Sequence, residues 1–156
     1  MSEQTRGASA TQKARIASLI ILLLAIVVSA YLSYLKFAPD REAVCLESGK
    51  FDCGTVLNSF YSEIQGVPIA WLGLAANLVM TAILLFESRN AFMTRYGVAL
   101  VFGISLFTFL FSVYLVYVQA FLIRAYCPWC LSHEVFMTIL FGLAIWRITK
   151  WDMTQS

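Results

Sequence analysis

Residues 16–34 read IASLIILLLAIVVSAYLSY, one apolar run preceded by Arg6, Lys13 and Arg15. A secretory signal has a similar charged start, but its apolar core is about 7–15 residues and closes on a small-residue cleavage site. This run is longer and lacks a clean site of that kind, so it is expected to be a retained first span, reaching Phe37 ahead of Pro39. Three more segments have the roughly 20 residues that a helix needs to cross a bilayer. They cover about 68–86, 96–123 and 128–148. Gly66 and Pro68 mark the start of the second, since proline is tolerated in a helix's first turn. The third is long, which suits a tilted or protruding helix. The sequence therefore predicts an all-α membrane protein: a four-helix transmembrane bundle forming one domain over 1–156.

Composition agrees. The chain is 60% hydrophobic and 13% charged, against roughly 45–50% and about 25% in soluble domains. A net charge of +2 is too small for a nucleic-acid partner. Arg6, Lys13, Arg15, Arg89, Arg95, Arg147 and Lys150 share one side of the four-span arrangement, and Lys36, Arg41, Lys50 and Arg124 the other. The more basic side faces the cytoplasm. Both termini are thus expected inside, with the 38–67 loop and the 124–127 turn outside.

That topology gathers all four cysteines on the outer side, where disulfides persist. Cys45 and Cys53 lie in the long loop; Cys127-Pro128-Trp129-Cys130 opens the fourth span. Thiol–disulfide exchange needs a thiolate attacking a disulfide sulfur, and a Cys-x-x-Cys at a helix N-terminus provides one. Unpaired N–H groups and the positive end of the helix dipole lower the thiol pKa there. A pair near the membrane and a pair on a loop make a relay, one visiting a soluble partner and the other facing a lipid-soluble acceptor. Two structural disulfides, a four-cysteine zinc site and a thiolate-based membrane metal carrier remain alternatives. Haem attachment is excluded because Leu131, and not histidine, follows Cys130.

Beyond the cysteines, Val56, Leu57, Phe60, Tyr61 and Ile64 recur at helical spacing on a segment too short to span. A short interfacial helix over the bundle mouth is the expected form, either a lid over the site of the lipid-soluble acceptor or a loop simply docked on the membrane. His133 and Glu134 follow Cys130 by three and four residues and can share its helix face. Ionisable groups inside a span are functional candidates, although an acidic first-turn residue also simply complements the helix dipole. Asn77, near mid-membrane, suits an interhelical hydrogen bond. Ser105, Thr108 and Ser112 read as a packing seam, and Gln119, nearer the outer end, is a candidate contact for the lipid-soluble acceptor, with helix packing the alternative. Tyr114, Tyr117 and Trp129 suit the outer aromatic belt.

Taken in order, these residues resemble the vitamin K epoxide reductase family, in its bacterial quinone-reducing branch. The resemblance rests on Cys45, Cys53, Ser59, Gly66-Val67-Pro68, Gly73 and Cys127-Pro128-Trp129-Cys130, and covers about 16–148. It implies that Cys127 and Cys130 form the membrane active-site pair, with Cys130 nearest the quinone. It makes Cys45 and Cys53 the shuttle pair, with Cys45 meeting the partner and Cys53 passing electrons to Cys127. Ser59 matches a loop hydroxyl that supports the site, and Ser59, Phe60, Gln119 and Glu134 are the expected quinone contacts. The implied acceptor is ubiquinone or menaquinone, with no metal, haem or flavin. The chain ends at Ser156 without the thioredoxin-like domain fused to many bacterial members, which points to a separate thioredoxin-like dithiol protein. A bacterial inner membrane is the implied location. The family's vertebrate branch places tyrosine four residues after the second active-site cysteine. Here that position is Glu134, which favours quinone reduction over the alternative, epoxide reduction.

Overall fold

Inside a bilayer every peptide group must find its partner within the protein, and an α-helix achieves this segment by segment. A computed structural model describes residues 2–38, 50–87, 89 and 91–155, so Cys45 and the rest of 39–49 lie outside the described residues. Its long helices are α1 (Ser2–Phe37), α3 (Ile69–Phe86), α4 (Ala91–Tyr117) and α5 (Pro128–Gln155). Each includes a stretch long and apolar enough to cross a membrane. Helix α1 packs against α3 and α5, and α4 packs against the same two. Leu22, Ala25, Met80, Leu84, Met137 and Leu140 meet at the centre, each at most 1% exposed. Many other large apolar side chains, such as Leu23, Leu78, Phe107 and Val135, point outward. That inverted surface is what lipid rather than water requires.

Helix α4 does not stop at Tyr117. It continues as one π-helical segment, Val118–Ile123, which Arg124 ends in the left-handed conformation (φ 58°). Hydropathy reports only the length of this span, and the change of helical pitch is invisible to it. Such π segments often mark functional sites, and this one carries Gln119.

The segment over the bundle mouth also differs from the single interfacial helix that the apolar spacing suggested. Helix α2 is short, Cys53–Leu57, and is followed by a 3₁₀ turn, Phe60–Ser62. A two-residue hairpin, β1 (Glu63–Ile64) with β2 (Val67–Pro68), then leads into α3. The break is local: Asn58 caps α2 with its N–H on Gly54 O, and Ser59 is extended with its hydroxyl on Val56 O at 2.8 Å. Gln65 and Gly66 both have positive φ, 53° and 82°, the combination that a tight hairpin turn requires. Pro68 consequently stands just before α3, not within its first turn.

The opposite end is closed by ionic side chains. Arg15 Nε donates to Leu84 O at 2.9 Å, satisfying a carbonyl in the last turn of α3. Arg147, 3% exposed, donates through Nη2 to both oxygens of Glu87 at 2.7 and 2.8 Å.

Candidate active site

The loop reaches the Cys-x-x-Cys motif through backbone pairing. Phe51 and Tyr126 form a parallel bridge, with Asp52 N–H on Tyr126 O at 3.1 Å and Tyr126 N–H on Lys50 O at 2.9 Å. Asp52 then caps α2, its carboxylate accepting from the N–H and the hydroxyl of Thr55. These bonds, the Thr55 hydroxyl first, hold its pKa below the ordinary 3.8. The next residue is Cys53, and the residue after Tyr126 is Cys127. One pairing therefore fixes both sulfur-bearing residues. Cys53 is disulfide-bonded, whereas Cys127 and Cys130 are free thiols. Cys53 (1% exposed) and Cys127 (0%) share one apolar cluster with Val28, Leu32, Val56 and Ala125.

Within the motif, Cys127 occupies the N-cap of α5, since its carbonyl accepts the helix's first bond from Leu131 N–H at 2.9 Å. Its sulfur takes the role usually played by an oxygen and accepts from Cys130 N–H at 3.4 Å. The Cys130 thiol, and then the backbone N–H groups of Cys130 and Trp129, lower the Cys127 pKa below 9.0 against the opposing effect of burial. Pro128 follows at the first helical position, where its missing donor is not needed. The Cys127 N–H is not left bare, because it donates to Gln119 Oε1 at 3.1 Å. The π-helical segment is what brings Gln119 there. Trp129 packs on Tyr31 of α1, ring centroids 5.0 Å apart.

Beneath the loop lies a cavity of about 200 Å³, walled mainly by apolar side chains of α1, α3, α4 and α5 and roofed by the 56–68 segment. Cys130, His133 and Glu134 face it from α5, and Ser112 and Gln119 from α4 and its π-helical end. Ser112 hydrogen-bonds the Glu134 carboxyl, while Glu134 Oε2 is buried with no hydrogen-bond partner. Of the residues expected at a quinone, the structure brings Ser59, Gln119 and Glu134 to this cavity together with Cys130. Phe60 is not among its walls. It is 92% exposed, because the break after α2 turns the 3₁₀ segment and leaves Tyr61 and Ile64 as the roof. Cys45 lies outside the described residues.

One feature was not legible in the sequence. Lys36, at the end of α1, lines the cavity and holds the roof: its Nζ donates to Leu57 O at 2.8 Å and Ser62 Oγ at 3.2 Å and pairs with Glu63 Oε1 at 3.0 Å. A lysine at a span end ordinarily snorkels to the headgroups, so nothing in its position singled it out. Asn77 makes the interhelical contact expected of it: its Nδ2 lies 3.2 Å from Ser29 Oγ of α1 and 3.1 Å from His133 Nε2 of α5. Among the described residues, no three His, Cys, Asp or Glu side chains gather in a way that could hold a metal ion.

The sequence model described as the vitamin K epoxide reductase family matches residues 16–145 of the chain. The match includes Cys53, the whole Cys127–Cys130 motif, and every span through most of α5.

Proposed function

Since the chain belongs to the vitamin K epoxide reductase family, and is thus an integral membrane oxidoreductase, we propose that it oxidises a partner's dithiol and delivers the electrons to a membrane quinone. The observation that carries this reading is the burial of Cys53, disulfide-bonded, and Cys127, a free thiol, in one cluster beside a cavity that Cys130 lines.

The path has three exchanges. A dithiol on a thioredoxin-like protein gives two protons and two electrons to the Cys45–Cys53 disulfide and leaves as a disulfide. The loop thiols reduce a Cys127–Cys130 disulfide in turn, through a mixed disulfide of Cys53 with Cys127. The Cys127 and Cys130 thiols then lose two protons and two electrons as their S–S bond reforms. A bound quinone supplies the two-electron, two-proton acceptor for that last exchange.

The cavity chemistry fits such a ring. Its walls are apolar, Glu134 Oε2 is a buried polar atom awaiting a partner, and Gln119 retains its amide N–H₂ after giving its oxygen to Cys127. Burial of Cys127 favours delivery through the loop pair over direct attack by a bulky partner. We place this site on the extracytoplasmic face of a bacterial inner membrane, with both termini in the cytoplasm, from the distribution of lysine and arginine. Purified protein given a reduced thioredoxin-like substrate should reduce a short-chain ubiquinone or menaquinone analogue, and Cys130→Ser should abolish this. Quinone reduction that survives Cys130→Ser would overturn the path.

A further inference from the structure

We infer that Asn77 is a positioning residue that fixes His133 as its Nδ1–H tautomer, so that the imidazole offers the cavity a hydrogen-bond donor for an oxygen of the quinone. The quinone in this statement rests on the function proposed above; the tautomer does not.

The argument follows the hydrogens. Ser29 has one hydroxyl hydrogen and gives it to Ala25 O at 2.8 Å. Toward Asn77 it can therefore only accept, so the Asn77 atom 3.2 Å away is the amide nitrogen. That assignment orients the whole carboxamide, and the same Nδ2 stands 3.1 Å from His133 Nε2. An amide N–H₂ donates and never accepts. Nε2 must then be the acceptor and carries no hydrogen. The ring's hydrogen is on Nδ1, since the bond made at one ring nitrogen sets the state of the other. A doubly protonated ring would set N–H against N–H.

Two observations make this more than a packing contact. Asn77 is 0% exposed, yet its Oδ1 has no hydrogen-bond partner among the described residues. Leaving a buried acceptor unpaired is costly, and an amide kept only to join helices would not need to bear that. The ring it orients also lines the cavity, one helical turn beyond Cys130 and adjacent to Glu134. With Nε2 engaged, Nδ1–H is the one donor the ring has left.

A fixed donor in an apolar cavity stabilises charge that develops on an oxygen there, with little reorganisation. His133 is not the proton source in this scheme. Asn77 could not resupply its ring, and the two protons of the reaction come from the Cys127 and Cys130 thiols. The ring binds and polarises; Glu134, with its unpartnered oxygen, is the neighbour able to pass a proton.

The chain has one histidine, so selective nitrogen-15 labelling of histidine gives the ring signals of His133 alone. In the full-length protein in nanodiscs, without quinone, the nitrogen spectrum should show hydrogen on Nδ1. Asn77→Leu, which removes the donor, and Asn77→Asp, which substitutes an acceptor, should both shift hydrogen to Nε2. Either variant that folds suffices. In kinetics, Asn77→Leu and His133→Phe should raise KM for a short-chain ubiquinone about tenfold, the upper range for one hydrogen bond. His133→Gln, which keeps an N–H donor, should recover most of this. Reduction of the Cys127–Cys130 disulfide by the dithiol substrate should stay within about twofold, because no bond to the motif is removed. A wild-type ring protonated on Nε2, or a tautomer unchanged by both Asn77 substitutions, overturns the inference and leaves quinone reduction standing. A wild type with Nδ1–H that reduces no quinone overturns the acceptor reading, and with it the ligand assigned to the ring.

Discussion

Cys127 and Gln119 are joined by a single hydrogen bond, from the cysteine backbone N–H to the glutamine Oε1 at 3.1 Å, and both residues are almost wholly buried. The bond crosses from the π-helical end of α4 to the start of α5, so the first cysteine of the motif is held by the preceding span. Gln119→Leu should leave that N–H buried and unpaired, at a cost of about 1–3 kcal/mol. Thermal unfolding in detergent should show the loss. Gln119→Glu keeps an oxygen at the same position and should retain more stability than Gln119→Leu.

The Cys127 thiol should be acidic yet hard to reach. Its pKa is lowered chiefly by the Cys130 thiol, but the residue is 0% exposed. An impermeant maleimide should label it far more slowly in the native protein than in the denatured one. Even a small dithiol should therefore work mainly through the loop pair, so Cys53→Ser should lose activity with small and protein dithiols alike. Cys130→Ala should raise the Cys127 pKa, read from the pH dependence of thiolate absorbance, and Cys130→Ser should raise it less.

Asp52 ties acid stability to the roof of the cavity. Its pKa is depressed in the folded protein by Thr55, so the cap is complete above the ordinary value of 3.8 and is lost as pH falls through the lower, folded value. Amide hydrogen exchange at Thr55 and Val56 should accelerate across that acidic window. Asp52→Asn caps without titrating and should flatten the response. An unchanged profile in Asp52→Asn would show that another group is responsible.

At the other end of the bundle, Arg147→Met should destabilise the protein by about 3 kcal/mol, the lower range for breaking a buried ion pair from one side. It takes from Glu87 a partner bonded to both of its oxygens. Adding Glu87→Gln should restore part of the loss. Denaturant titration of the two single variants and the double variant gives the coupling directly. Quinone reduction should survive at permissive temperature, because the pair joins the ends of α3 and α5 away from the cavity.

The four spans are legible in the chain alone, since hydropathy over some twenty residues is a local property and the bilayer demands that length. It also set the cysteines apart: the motif Cys127-Pro128-Trp129-Cys130 at the start of a span predicts a thiolate from helix chemistry alone. The same local logic located an apolar roof over 56–64 but mistook its form, because helical spacing cannot register the break that Asn58 and Ser59 make with their own backbone bonds. Which groups meet depends on the packed bundle. Lys36 bonds a carbonyl 21 residues away, and Asn77 joins Ser29 and His133 across separations of 48 and 56. Gln119 reaches Cys127 through a change of helical pitch that no hydropathy pattern encodes. Those bonds depend on how four helices are rotated against one another. Packing of Leu22, Met80, Leu84 and Met137 in the shared core fixes that rotation, and no single stretch of the chain contains it.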